Sequence, residues 1–409
     1  MTWPVKPDSR SLQSPRLRLL LLAVLIALYA GWIGYVMARD KPCDFYLYYL
    51  AAHGFAHGKD VYGDVSWEQL AQETQITNYA PPYRYPPLTA ELVWPLTWLP
   101  PRQAALVWLT ASALAFIASA WLLGRSSQAP FSVPLALGLL LFFVPPLTTL
   151  HAGQVNGFLL LALAFALYAF TRRRPIWMGF GVAIGALLKL VPVAHWGYLA
   201  WRRQWRAALV ALIVILLLLG SALPLVRWEG FASYARNFFT LGSAGGLISA
   251  GASQSTGSFF ARLLIAERGR WALADAPHMA RWLGWGASLL LILATIALCW
   301  PRGDPAQLFA LEFALVTTTV SLVTPYVWYH QLAVLLIPFF VVVERALTRP
   351  HLRWMLIPLA LGYIVTDIHG LAWHHLEFNP FLVSMPFYTT LMLWGLLAWM
   401  IVKDKRLSA

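Results

Sequence analysis

Apolar runs recur along the whole chain with short basic clusters between them: Leu17–Ala38, Arg102–Gly124, Phe131–Leu150, Gly157–Phe170, Ala207–Val226, Trp282–Trp300, Leu308–Val323, Leu332–Val343, Trp354–Thr366 and Pro386–Val402. A bilayer presents about 30 Å of hydrocarbon, which about 20 apolar helical residues cross, and the shorter runs cross it by tilting or by borrowing flanking residues. Composition decides between a buried core and a membrane. The chain is 59% hydrophobic and 11% charged over 409 residues, against about a quarter charged in soluble domains. These features predict an all-α, polytopic membrane protein forming one transmembrane domain over residues 1–409.

Two further segments resist simple assignment. Leu88–Leu99 is too short to span, and Ile176–Trp201 is long enough but is interrupted at Lys189-Leu-Val-Pro192, where proline breaks the helical ladder. The positive-inside rule puts Arg172–Arg174, Arg202/Arg203/Arg206, Arg345/Arg349/Arg353 and Lys403/Lys405/Arg406 in the cytoplasm. With an inside N-terminus this requires Leu88–Leu99 to be partial or re-entrant and Ile176–Trp201 to be a bent hairpin, for about 11–13 membrane helices in all. Leu17–Ala38, preceded by Lys6, Arg10, Arg16 and Arg18, reads as a retained span rather than a cleaved signal. The net charge of +13 thus encodes topology, and no nucleic-acid partner is expected. Cys43 and Cys299 fall on opposite faces, so no disulfide joins them.

The polar mass then lies outside, in 40–87, His151–Asn156, 227–281, Thr324–Gln331 and 367–385. Asp44 opens an expected amphipathic helix, Asp44–His57, lying in the interfacial plane; it is a candidate general base, since desolvation raises a carboxyl pKa, or else a helix cap. In Tyr83-Arg84-Tyr85-Pro86-Pro87, Arg84 stands at phosphate depth, although snorkelling explains it too. Gln154 and Asn156 share the turn His151–Asn156. Lys189 is an intramembrane cation, and such groups are by default functional. Gln254, within Gly251–Gly257, leads into a short amphipathic segment carrying Arg262. Trp328 and His330 break two spans together; an interfacial aromatic belt explains the indole but not the imidazole. His369, His374 and His375 lack an acidic or Cys partner at ligand spacing, so neither a metal nor any other cofactor is expected.

Taken in order, Asp44-Phe-x-x-Tyr, Tyr85-Pro-Pro, Gly153-Gln-Val-Asn156, Lys189-x-x-Pro192, Ser253-Gln-Ser255 and Thr324-Pro-x-x-Trp328-x-His330 resemble the polytopic family 87 glycosyltransferases of the GT-C superfamily, which include polyprenyl-phosphate-mannose-dependent mannosyltransferases. The resemblance implies a GT-C fold, a polyprenyl-phosphate sugar donor, inversion at the anomeric carbon and an aspartate base in the first outer loop, the position Asp44 occupies. The chain departs from the pattern at Ser253, where Asn is expected, and at Gln331, where a second His often follows.

The reading is a multi-pass glycosyltransferase of the bacterial inner membrane, monomeric, with its site toward the periplasm. It moves a hexose or pentose, mannose foremost, onto a lipid or glycan acceptor among the membrane lipids. Asp44 and His330 are the candidate catalytic residues. Arg84, Lys189 and Arg262 are candidates for the lipid phosphate, Gln154, Asn156 and Gln254 for sugar hydroxyls, and Tyr85 and Trp328 for further substrate contacts. A lipid or solute transporter is the alternative, and an acyltransferase using His330 or His374 a third.

Overall fold

The computed structural model describes residues 15–240, 253–266, 271–376 and 379–407, apart from positions 64, 191 and 303. The segment 241–252, including Gly251 and Ala252 of the polar turn, and Lys6 and Arg10 lie outside the described residues. The chain is an all-α, polytopic membrane protein, with one isolated antiparallel bridge, Ser253 to Trp328, among the described residues.

The long first helix α1 (Pro15–Ala38) is followed by α2 (Cys43–Ala56), α3 (Trp67–Thr74) and α4 (Pro87–Val93), the last continued by a 3-10 turn to Trp98. The expected amphipathic character belongs to α3, not to α2. Ser66 caps α3 by accepting from the Gln69 N–H, and Leu70 and Ala71 form its buried stripe. In contrast α2 is buried over nearly its whole surface, Tyr46 and Tyr49 included, so it is packed under the loop rather than lying on the membrane surface. The run Leu88–Leu99 ends at Trp98 without the length to span.

Next come α5 (Pro101–Ser126), α6 (Ser132–Phe142), α7 (Val144–Ala152), α8 (Asn156–Thr171), α9 (Pro175–Leu188), α10 (Val193–Trp201), α11 (Trp205–Ser221) and α12 (Leu223–Thr240). Two expected straight spans are broken. Phe131–Leu150 bends by 57° between α6 and α7 at Val144-Pro145-Pro146, where prolines withhold backbone donors and Asp367 accepts from the Val144 N–H at 2.9 Å. The chain turns by 100° between α11 and α12, so Ala207–Val226 is not one helix. The interruption at Lys189–Pro192 separates α9 from α10, with Pro192 at the start of the second helix.

The last part comprises α13 (Thr256–Leu264), α14 (Pro277–Leu298), α15 (Pro305–Val323), α16 (Leu336–Thr348), α17 (Leu356–Leu376) and α18 (Met385–Leu407), with 3-10 turns at Tyr329–Leu335 and Pro350–Met355. The segment Asp367–Leu376, expected in an outer loop, instead extends α17. Among the described residues seven helices are long and apolar enough to cross a membrane, nine if each bent pair is one span, and α8 and α9 are shorter apolar helices. Burial sorts them: 72% of the most apolar window of α15 is buried against 11% for α14, so α15 is central and α14 stands at the lipid-facing edge.

The basic clusters gather at one end. Fully buried Glu312, at the end of the second turn of α15, meets Arg202 at 3.0 Å and Lys405 at 3.4 Å. Asp404 joins Arg345 and Arg349 at 2.6 and 2.7 Å. Phe170, two residues before Arg172, stacks on Phe309 of α15. The 19 residues of α15 rise about 28 Å, about the hydrocarbon thickness, and their far end leads to Thr324–His330.

Candidate functional site

At that far end lies a cavity of about 1330 Å³. Its polar wall carries Asp44, Arg84, Tyr85, Gln154, Lys189, Trp328 and His330, and its apolar extension runs down between α10, α14 and α15 as far as Trp201 and Cys299. It is larger than the roughly 300–1,000 Å³ usual for small-molecule pockets. A sugar alone leaves most of it unfilled.

Asp44 sits in the first turn of α2, behind Cys43, while Pro42 is the N-cap position and makes no side-chain cap. The carboxylate therefore is not a helix cap. Its Oδ2 accepts from Gln154 Nε2 at 2.6 Å, and the residue remains partly exposed to the cavity. Burial raises its pKa above the usual 3.8, opposed by the Gln154 hydrogen bond and by the Lys189 charge. The contact depends on Gly153, which ends α7 at φ +73; a Cβ there would meet Phe45 Cβ at 2.6 Å. Only glycine lets this turn approach α2 so closely in that conformation.

Gln154 is itself held by the protein. Its Oε1 accepts from Tyr48 Oη and Tyr85 Oη, each at 3.0 Å, and the side chain is buried. Asn156, also buried, accepts from Lys189 Nζ at 2.7 Å and donates to the His330 carbonyl at 3.1 Å. Both amides thus hold other site residues in place. Tyr48 and Thr149 escape sequence reading. Thr149 Oγ1 donates to the His330 carbonyl at 2.9 Å, but a threonine in an apolar helix usually just bonds back to its own backbone.

Lys189 leaves the helical path at the end of α9 in an extended conformation, which turns its ammonium onto Asn156 and toward the Tyr85 ring, 6.0 Å away. Arg84 is brought in by the chain that enters α4 through Pro86 and Pro87, proline being suited to a helix start. Buried atoms at Arg84 Nε and His330 Nε2 have no hydrogen-bond partner among the described residues, a rare condition in a folded protein.

Gln254 and Arg262 are not brought to this wall. Gln254 bonds through its N–H to Val327 O at 2.7 Å and through Nε2 to Val383 O at 3.0 Å, and Arg262 donates to Ser384 Oγ at 2.9 and 3.0 Å. Both are buried in a neighbouring cluster that also holds His369 near Gln254. Its contact with the cavity is indirect, through the Ser253–Trp328 bridge. The sequence places their polarity but not the direction they face. His375 is exposed and the His374 side chain lies outside the described residues; among the described residues no three His, Cys, Asp or Glu side chains group as a metal centre. Cys43 and Cys299 are free.

The profile of glycosyltransferase family 87 matches residues 83–325. Over 371 residues the chain is 28% identical to a polyprenol-phosphate-mannose-dependent alpha-(1-2)-phosphatidylinositol pentamannoside mannosyltransferase of Mycobacterium tuberculosis (strain CDC 1551 / Oshkosh), covering 88% of this chain and 78% of the relative. It is 27% identical over 350 residues to a polyprenol-phosphate-mannose-dependent alpha-(1-2)-phosphatidylinositol mannoside mannosyltransferase of Mycobacterium tuberculosis (strain ATCC 25618 / H37Rv), covering 79% and 77%. A family match over more than half the chain, on a helical membrane scaffold, makes this protein a member of glycosyltransferase family 87 and a membrane-embedded glycosyltransferase.

Proposed function

We propose that this enzyme transfers mannose from a polyprenyl-phosphate donor to a hydroxyl of a lipid or glycan acceptor, with inversion, at the extracytoplasmic face of the bacterial plasma membrane. The observation that carries the reading is the union, in one cavity, of a partly exposed carboxylate, two cations and an apolar lane of membrane depth. A lipid-linked sugar phosphate needs these three parts. The named relatives use such a donor, and the gathering of the basic clusters at the opposite end supports the sidedness.

In this mechanism Asp44 takes the proton of the acceptor hydroxyl as its oxygen attacks the anomeric carbon. The glycosidic C–O bond breaks in the same displacement, and the electron pair leaves with the polyprenyl phosphate. Lys189 and Arg84 neutralise the charge that develops on the leaving phosphate, where a dry, preorganised site makes such donors effective. Arg84 Nε and His330 Nε2, without a hydrogen-bond partner among the described residues, suit phosphate or sugar oxygens. Burial helps Asp44 act as a base, because a raised pKa increases the proton affinity of the carboxylate. Gln154 positions Asp44, and Asn156 positions Lys189. Incubating the purified enzyme with radiolabelled polyprenyl-phosphate mannose and a membrane-lipid extract tests this: label in extractable lipid or glycan supports it, and label only in unreacted donor refutes it.

A further inference from the structure

The apolar lane below Lys189 has an unfilled side. Ala194, Gly197 and Trp201 of α10 face Ile296 of α14 and Val320 of α15 across it. A Cβ built on Gly197 would meet no atom within 4 Å. Glycine inside a helix is destabilising relative to alanine, and here no close packing demands it. At the lower end of the lane Trp201 meets Trp300 edge to face, with ring centroids 5.1 Å apart. The Trp300 carbonyl, just beyond the end of α14, accepts from Lys405 Nζ at 2.8 Å and from Arg202 Nη1 at 3.4 Å. Cations there satisfy carbonyls that a helix end leaves without partners. Buried Glu312 holds both cations, so this end of the lane is tied to the central helix.

Resting on the donor reading above, we propose that Gly197 is a specificity-determining residue: the donor's isoprenoid chain lies across it, and the absent side chain is what admits chains longer than about two units. The nine residues of α10 rise about 13 Å. With the turn Lys189–Pro192 above it, the lane holds about three or four isoprene units of about 5 Å each, taking four chain bonds per unit. Gly197 stands midway. A Cβ there meets no protein atom within 4 Å, so a large side chain has room to start into the lane, whereas a short donor ends before reaching it.

The test compares mannosyl phosphates of two- and seven-unit isoprenoid alcohols with the full-length enzyme in mixed micelles, at a fixed donor mole fraction. Gly197→Trp should keep kcat/KM for the two-unit donor within about threefold of the parent and lose about a hundredfold or more on the seven-unit donor. Gly197→Ala, a better helix former, should fold like the parent and show a smaller loss than Gly197→Trp, again on the seven-unit donor only. Equal losses on both donors, or none on either, would overturn the assignment of Gly197. A parent enzyme that uses neither donor yet transfers from a nucleotide sugar would instead overturn the donor reading on which the assignment rests.

Discussion

Gln154 donates its side-chain amide to the Asp44 carboxylate at 2.6 Å while accepting from Tyr48 and Tyr85. The carboxylate is thus oriented from one side by a fixed donor and open to the cavity on the other, the arrangement expected for a base that must meet a mobile hydroxyl. The surroundings that set its basicity are its burial, this hydrogen bond and Lys189.

That combination predicts the pH dependence. Burial raises the Asp44 pKa above 3.8, so kcat/KM should fall as pH drops through the raised value and the carboxylate takes up a proton. The Gln154 bond and the Lys189 charge both favour the ionised form. Gln154→Leu and Lys189→Ala should therefore each move this acid limb to higher pH. A limb that stays in place in both variants would assign it to another group.

Lys189→Ala should lower kcat/KM by about tenfold to a hundredfold, the range for losing a charge-assisted hydrogen bond of about 1.5–3 kcal/mol. Lys189→Arg keeps the charge but spreads it over a broad planar guanidinium in place of the compact ammonium that bonds Asn156, and should recover only part of the activity. Unchanged donor kinetics in Lys189→Ala would make the ammonium purely structural.

His330 contributes to the architecture through its carbonyl, which accepts from Thr149 and Asn156, and an alanine preserves that carbonyl. His330→Ala should consequently retain the parent's melting temperature and lose about tenfold or more in kcat, because the imidazole Nε2 has no hydrogen-bond partner among the described residues to lose. A melting temperature lowered without a change in kcat would reverse this assignment.

Glu312→Gln removes the counter-charge of Arg202 and Lys405 inside the protein. Breaking a buried ion pair costs about 3–5 kcal/mol, so thermal unfolding in detergent should shift down by several degrees. A cysteine-labelling pair checks the sidedness independently: at exposed Lys59 a membrane-impermeant maleimide should react from outside, and at exposed Arg173 only after the membrane is opened.

Much of this was legible in the sequence because lipid imposes simple rules. Span length, the basic clusters and the break at Lys189–Pro192 follow from hydrocarbon thickness, topology and proline chemistry, and α9 and α10 part at that break. The bends beside Val144 and between α11 and α12 were not legible, since a kink supported by a remote residue such as Asp367 leaves no local signal. In the site, Asp44, Arg84, Tyr85, Lys189, Trp328 and His330 stood out as polar or aromatic groups at membrane depth, and all line the cavity. Gln254 and Arg262 stood out equally but face a different cluster. Polarity marks a residue, whereas tertiary packing alone decides which way it points. For the same reason the ion cluster on Glu312 escaped notice: one glutamate in an apolar run carries no hint that Arg202 and Lys405 reach it.

The most direct test of the mechanism is transfer by Asp44→Asn. Asparagine keeps the shape of the side chain and can still accept from Gln154, so the variant should fold, insert and bind donor like the parent. Loss of a general base costs about a hundredfold to ten-thousandfold in rate. Measured with radiolabelled polyprenyl-phosphate mannose and a competent acceptor extract, Asp44→Asn is predicted to transfer sugar at no more than about one hundredth of the parent rate, without the acid limb in its pH profile. Transfer by Asp44→Asn at near-parental rate would contradict the assignment of Asp44 as the base.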